Sequence, residues 1–266
     1  MQKDVHFYLT YALARKAGLP ASTARTIAWA DQYTDEMTDP EPHGIQTQSP
    51  LFGNWNERQV QLSVLAPFHF IPGDDAKNPW ITTRNSTRAR SLVKRAGTDP
   101  LQLGIALHVL QDTFSHEKFS GWREKCNCCY PWFYIKTNLP NVGHAEMMVT
   151  PDIAHVVWQD PRDNQLIDNK TRALAAAKAT YNVLIKNFGL TNPQPWPEIE
   201  KPLKGFLKQE YDDRITNLCT FSGTKTLHFN TVNRRLSETS LSAFAQAASR
   251  HLAAAMDSFS SLPWTP

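Results

Sequence analysis

Glycine is scarce in this chain, 11 residues in 266, and the few present are scattered. No glycine-rich loop is therefore available to cradle phosphates with backbone N–H groups. Long apolar runs are also missing. None approaches the ~18 residues of a membrane-spanning helix, so no transmembrane segment is expected. Charge of one sign is not in excess: 28 Lys+Arg stand against 25 Asp+Glu. That balance is no electrostatic footprint for duplex nucleic acid, although it does not bar a local groove. Cysteine is limited to four residues. Cys126, Cys128 and Cys129 crowd one loop as CNCC, and Cys219 stands alone. C-x-C-C lacks the usual zinc-knuckle spacing, and a loop disulfide, a thiolate site and free thiols all remain open. The first residues, MQKDVHFYLTYALARKAG, place Asp4, His6, Arg15 and Lys16 where a signal peptide needs an apolar stretch. A cytoplasmic protein is the expectation, with a mature form or export by a signal-independent route as alternatives.

What is present is helical patterning. Asp4 to Ala17, capped by Asp4, reads as a helix that stops at Gly18, and a second runs from Pro20 to Asp35. A short segment near Arg58 to Ala66 and a helix over Thr87 to Ala96 follow. Asp99-Pro100 then combines a cap with a favoured first helical residue. Further helices are expected from Arg162 to Phe188, stopped by Gly189, from Glu198 to Asn217, and from Leu236 to Ser258. KTLHFN is at most one brief strand, and one strand makes no sheet. The length fits one large domain or two small ones. The expectation is a single all-α domain over 1–266, with long loops at 36–84 and 119–162.

The helix opened by Asp99-Pro100 carries His108, Asp112 and His116 at a spacing of four and four. Positions four apart return to within about 40° of each other, so all three share one face. They sit among Leu103, Ile105, Leu107, Val109, Leu110 and Phe114. Buried unpaired polar groups cost kilocalories, and a divalent metal satisfies an imidazole, a carboxylate and an imidazole together. No Ser-His-Asp order or nucleophilic-cysteine pattern competes. His43, His155, His228 and His251 lack supporting company and are taken as structural or surface residues.

His108-x-x-x-Asp112-x-x-x-His116 resembles the central motif of the zinc-dependent phospholipase C and single-strand-specific nuclease superfamily. The segments DVHFYLTYALARKAG, IAWADQYTDE, FHFIPGD, LGIALHVLQDTFSHEKFSGW, VGHAEMMVTPD and KATYNVL extend the resemblance over about residues 4–185, closest to a bacterial branch of that superfamily. It implies an all-α multi-helix fold with long active-site loops and a cluster of one to three zinc or other divalent ions. His6 then resembles the early histidine ligand, Asp35 and His69 ligands of the most buried ion, and His108 the next ligand. Asp112 resembles the carboxylate shared by two ions, and His116 and His144 ligands of a further ion.

The sequence departs from that pattern twice. Those enzymes use their processed N-terminal residue as a ligand, whereas Met1 stands five residues before His6, so Asp4 is a candidate for that place. Met148 stands where they carry a last carboxylate, so Glu146 or Asp152 must substitute, with Glu146 slightly preferred. Asp31 is a further acidic candidate. Asp35, Asp112 and Glu146 are the expected catalytic carboxylates. The implied activity is phospholipase C-like hydrolysis of a phosphoric ester by a metal-activated water. A nuclease or nucleotidase on the same cluster, or a non-catalytic protein stapled by metal, is the alternative. Tyr130, Trp132, Phe133 and Tyr134 could contact lipid or stack on bases.

Overall fold

A computed structural model describes residues 1–38, 44–49, 54, 57–130, 141–225, 227–229 and 238–263. The chain is mostly helical. Helix α1 begins as a π-helical stretch, Asp4–Leu9, and continues as a regular α-helix, Thr10–Ala17. It ends where Gly18 adopts a left-handed φ of 104° and returns its N–H to the last turn. Asp4 does not cap this helix. Its carboxylate is fully buried and pairs with Arg214.

Helix α2 is Ala21–Tyr33. Helix α3 opens as a single turn, Arg58–Val60, and runs on as the π-helical stretch Gln61–His69. Pro67 lies inside it and has no N–H to give a regular ladder, and Phe70 donates to the carbonyl of Leu65, five residues back. Thus π-helical geometry occurs at both His6 and His69, on two elements far apart in sequence.

Helix α4, Thr87–Ala96, is capped by Ser86, whose hydroxyl accepts from the N–H of Ala89. Helix α5 is Pro100–Ser115. Asp99 accepts from the N–H groups of Leu101 and Gln102 at 3.0 and 3.2 Å, and Pro100 fills the first helical position. From Leu103 to Ser115 every residue of α5 is buried, as a helix apolar on most sides must be. Helices α2, α3 and α4 pack around it, with α6 (Asn169–Phe188) and α9 (Glu238–Phe259) completing the surround. It packs tightly against α2 at Gly104. A Cβ there would run into the carbonyl of Ile27 and the side chain of Ala30.

Two expectations change. The stretch from Arg162 to Asp168 is not helical. A two-stranded antiparallel hairpin, β1 (Val157–Gln159) and β2 (Leu166–Asp168), precedes α6, with Trp158 opposite Ile167. These two side chains are buried while Val157 and Leu166 face outward, the period-two alternation of a half-buried ribbon. Such three-residue strands are too short to stand out by pattern against a helix starting at Asn169. Likewise, the single helix expected over 198–217 is two helices, α7 (Trp196–Phe206) and α8 (Tyr211–Phe221). Residues 227–229 within KTLHFN are not in a strand.

The largest apolar cluster draws on residues from Met1 to Leu262, so the C-terminal helices are built into the same core as α1 and α5. Among the described residues Arg214 of α8 is the largest fully buried side chain, and it answers the buried Asp4 of α1. It also donates to His155 and to the carbonyl of Gln209. Removing one partner of a buried pair strands the other charge, so Arg214→Ala is expected to cost about 3–5 kcal/mol. Chemical denaturation of the variant beside Asp4→Asn/Arg214→Met, expected to recover most of that loss, checks this.

His251 of α9 is buried, stacks on Phe68 and donates to the carbonyl of Pro67 at 3.1 Å. Burial pushes its imidazole down to about 4. An unfolded histidine takes its proton near pH 6.5, so between these values the unfolded chain binds more protons. Stability is therefore lost as pH falls below 6.5, by about 2 kcal/mol at pH 5 from this group. Urea unfolding at pH 7 and pH 5 should show a smaller pH-dependent loss for His251→Phe than for the parent. Equal losses would remove His251 as the cause.

Candidate metal centre

The centre of the fold is built on α5. His108 Nδ1 donates to the carbonyl of Asp31 on α2 at 2.9 Å, so its Nε2 is the nitrogen turned to the centre. That Nε2 lies 3.2 Å from Asp112 Oδ2, 3.5 Å from Asp35 Oδ1 and 3.2 Å from His69 Nδ1. His69 Nε2 meanwhile donates to the carbonyl of Thr47 at 2.7 Å. Two imidazole nitrogens and two carboxylates thus converge on one point. Zinc ligands at about 2.0–2.2 Å in a tetrahedron lie roughly 3.4 Å apart, the separation seen here.

The same construction repeats about two turns along α5. His116 Nδ1 donates to the carbonyl of His69 at 2.8 Å, and His144 Nδ1 to the carbonyl of Met148 at 2.7 Å. Their Nε2 atoms face each other at 3.1 Å. Asp152 closes the group, with Oδ1 3.1 Å from His116 Nε2 and Oδ2 3.3 Å from His144 Nε2. Phe70 stacks on the His116 ring at 4.4 Å and holds its plane. Met148 keeps its carbonyl on His144 with a φ of 52° and ψ of −132°, a strained conformation for a side-chain-bearing residue.

A further imidazole points inward from α1. His6 Nδ1 pairs with Asp31 Oδ1 at 2.8 Å, while its Nε2 lies 3.2 Å from Asp112 Oδ1 and 4.0 Å from Asp35 Oδ2. That Nε2 is buried and makes no hydrogen bond. The main-chain nitrogen of Met1 sits beside it, 2.5 Å from Asp112 Oδ1 and 3.3 Å from Asp152 Oδ1. Asp112 consequently lies at the middle of the cluster, with one oxygen towards His6 and Met1 and the other towards His108 and His69.

The electrostatics match this geometry. Burial alone would lower the basicity of His108, but the Asp35 and Asp112 carboxylates outweigh it and push the imidazole up to about 10. Burial would raise Asp112, yet His116, the Met1 nitrogen and His108 hold it well below the usual carboxylate range. Asp152 is held low in the same way against burial, chiefly by the Met1 nitrogen, His144 and His116. These groups together attract positive charge strongly. Carboxylates gathered this closely attract cations, and the donor set of imidazoles and carboxylates is one that divalent metals accept. The groups Asp35–His69–His108 and His116–His144–Asp152 could each hold a metal ion.

All but one of the expected ligands are brought together: His6, Asp35, His69, His108, Asp112, His116, His144 and Asp152. Glu146 stands apart. Its Oε2 accepts from the N–H groups of Cys129 and Tyr130 at 2.7 and 2.6 Å, so the cysteine loop captures it. The chain turns at Ala145–Met147 and returns at Thr150–Asp152, which brings Asp152 to the two histidines. The preference for Glu146 is therefore corrected, and Asp4 is excluded by its pairing with Arg214. His155 contacts Arg214, His228 is exposed, and His43 lies outside the described residues.

The four cysteines are free thiols, and burial pushes Cys126 and Cys129 up to about 12. Tyr130 is partly buried against the cluster of Leu65, Phe70 and Phe119, whereas Trp132, Phe133 and Tyr134 lie outside the described residues. Sequence reasoning missed the Met1 nitrogen and the carbonyls of Thr47, His69 and Met148. Backbone groups leave no residue-type signal to find them by.

Asp152→Asn should lose about one equivalent of bound divalent metal, as should His144→Ala, because both dismantle the same group. Glu146→Gln should keep its metal. Elemental analysis after exhaustive dialysis separates these outcomes, and the reverse pattern would return Glu146 to the ligand set.

No curated protein and no solved structure matches the chain. A family model described as a family of unknown function, DUF6765, matches residues 1–261. That span takes in the C-terminal helices as well as every residue of the candidate centre, and the chain belongs to this family.

Proposed function

We propose that the protein is a zinc-dependent phosphoric ester hydrolase, phospholipase C-like, that splits a phosphodiester at the cluster around Asp112. The observation that carries this reading is the opening of the cluster onto a pocket of about 380 Å³. A purely structural metal site is closed, whereas a catalytic one keeps an accessible position. Asp35, His69, Asp112, His116, His144 and Asp152 all line the pocket, together with Met1. Its size falls within the usual range for small-molecule sites.

Divalent ions held by these residues would bring a coordinated water towards neutral pKa and neutralise phosphate oxygens. Asp112 would supply a negative charge that more than one such cation could share. Asp35 is the pocket carboxylate with the most open side chain, 31% exposed against 15% for Asp152 and 1% for Asp112. That exposure suits it to accept the proton of the attacking water. Glu146, expected as a catalytic carboxylate, does not line this pocket, and Asp35 takes the role in the proposal.

The walls favour an amphiphilic ester. Leu65, Phe70, Val142, Met148 and Val149 supply apolar lining, and Gln48 and Ser49 add polar groups. Met148 and Val149 are more than half exposed at the mouth, suited to the apolar arm of a phospholipid. Among the described residues no helix is long and apolar enough to cross a membrane, so contact with lipid would be peripheral.

The test is a panel of a chromogenic phosphodiester, phosphatidylcholine vesicles and single-stranded DNA, each with and without chelator. Chelator-sensitive turnover of the first two that zinc restores is expected. Turnover confined to DNA would favour the nuclease alternative, and metal binding without any turnover a structural role. Asp112→Asn should lose at least one equivalent of metal and cut kcat/KM by more than about 100-fold, beyond the range of residues that merely support a ligand. Full metal content and full turnover in that variant would remove Asp112 from the centre.

A further inference from the structure

Asp31, on α2 four residues before Asp35, is fully buried and contacts both α1 and α5. Its Oδ1 accepts from His6 Nδ1 on α1 at 2.8 Å. Its backbone carbonyl accepts from His108 Nδ1 on α5 at 2.9 Å. One residue therefore selects the tautomer of two histidines, and in both cases it turns Nε2 towards Asp112. The rings are themselves stacked, with centroids 4.0 Å apart and planes 23° apart, so neither can rotate without displacing the other.

The other oxygen of Asp31 is held just as firmly. Oδ2 accepts from Thr10 Oγ1 at 2.7 Å and from Gln111 Nε2 at 2.9 Å. Gln111 also donates to Thr10 at 2.8 Å and reaches Thr180 of α6 at 3.3 Å. Every member of this network is buried. It ties α1, α2, α5 and α6 together behind the metal centre. Gly104 permits it, because a Cβ there would collide with Ile27 and Ala30 and push α5 away from Asp31.

By type and position Asp31 could itself be a ligand, since His6, Asp31 and His108 also form a group able to hold an ion. The hydrogen bonds argue otherwise. An ion there would take the Nδ1 atoms away from Asp31 and leave the buried Nε2 of His6 and His108 directed at carboxylates with nothing to bind. We propose that Asp31 is a positioning residue that couples the His6 and His108 sides of the centre, acting through the two imidazoles and not on the ion itself. This rests on the metal-centre reading given above.

The experiment is Co2+ titration of the metal-stripped full chain, followed by its visible absorption spectrum, for the parent, Asp31→Asn and Thr10→Val. In Asp31→Asn the side-chain oxygen can serve only one set of donors, so the network must break. The expected result is the full parental Co2+ stoichiometry at saturation, with affinity about 10- to 100-fold weaker for part of the sites and an altered spectrum. Thr10→Val, which leaves Asp31 in place, should weaken the same sites by a smaller factor. If Asp31→Asn does not fold, the Thr10→Val titration decides by itself. Loss of a whole equivalent at saturation in Asp31→Asn would make Asp31 a ligand and overturn the proposal. Parental affinity and spectrum in the variants that fold would overturn it too, while metal binding by the parent would leave the metal-centre reading standing. A parent that binds no Co2+ would end both.

Discussion

Everything at the heart of this molecule depends on the convergence of acceptors on Asp112. His6, His69 and His108 spend one ring nitrogen on a carbonyl or carboxylate and aim the other at it, while His116 and His144 do the same towards Asp152. The result is a largely buried region where imidazoles and carboxylates crowd together. Such an arrangement is costly unless cations compensate it. The elements that carry it are correspondingly rigid: a helix buried from Leu103 to Ser115, capped by Asp99 and pressed against α2 at Gly104.

The supports behind the ligands come from irregular backbone as much as from side chains. His6 and His69 lie on π-helical stretches, and π geometry redirects side chains that a regular helix would aim elsewhere. Pro67 forbids a regular ladder just before His69, and its carbonyl is held by His251 from the C-terminal helix. Met148 adopts a strained conformation that delivers its carbonyl to His144. The same turn leaves the Met148 side chain exposed in the lining of the pocket, so backbone strain and the orientation of His144 meet at one residue.

The C-terminal third belongs to this design as well. Arg214 neutralises Asp4 in the first turn of α1, three residues from the Met1 nitrogen that sits against Asp112. Helix α9 packs on α5 and on the π-helical segment of α3. The family match over residues 1–261 is consistent with one structural unit in which distant segments jointly hold the centre.

The sequence by itself determined the helices whose periodicity and punctuation agree. Gly18 and Gly189 stop helices in left-handed conformations, Asp99 caps α5, and Thr87 to Ala96 forms the helix expected there. It also brought out His108, Asp112 and His116, because residues four apart on a helix share a face whatever the rest of the fold does. Only the tertiary structure decided between Glu146 and Asp152, since both stand close to His144 in sequence and the choice depends on how an irregular loop turns. Two N–H groups of the cysteine loop captured Glu146, and the next turn returned Asp152 to the histidines. The β1–β2 hairpin, the break between α7 and α8, and the placement of the Met1 nitrogen were likewise settled by long-range contacts. Local pattern records what a segment prefers, whereas a ligand shell is set by where distant segments meet.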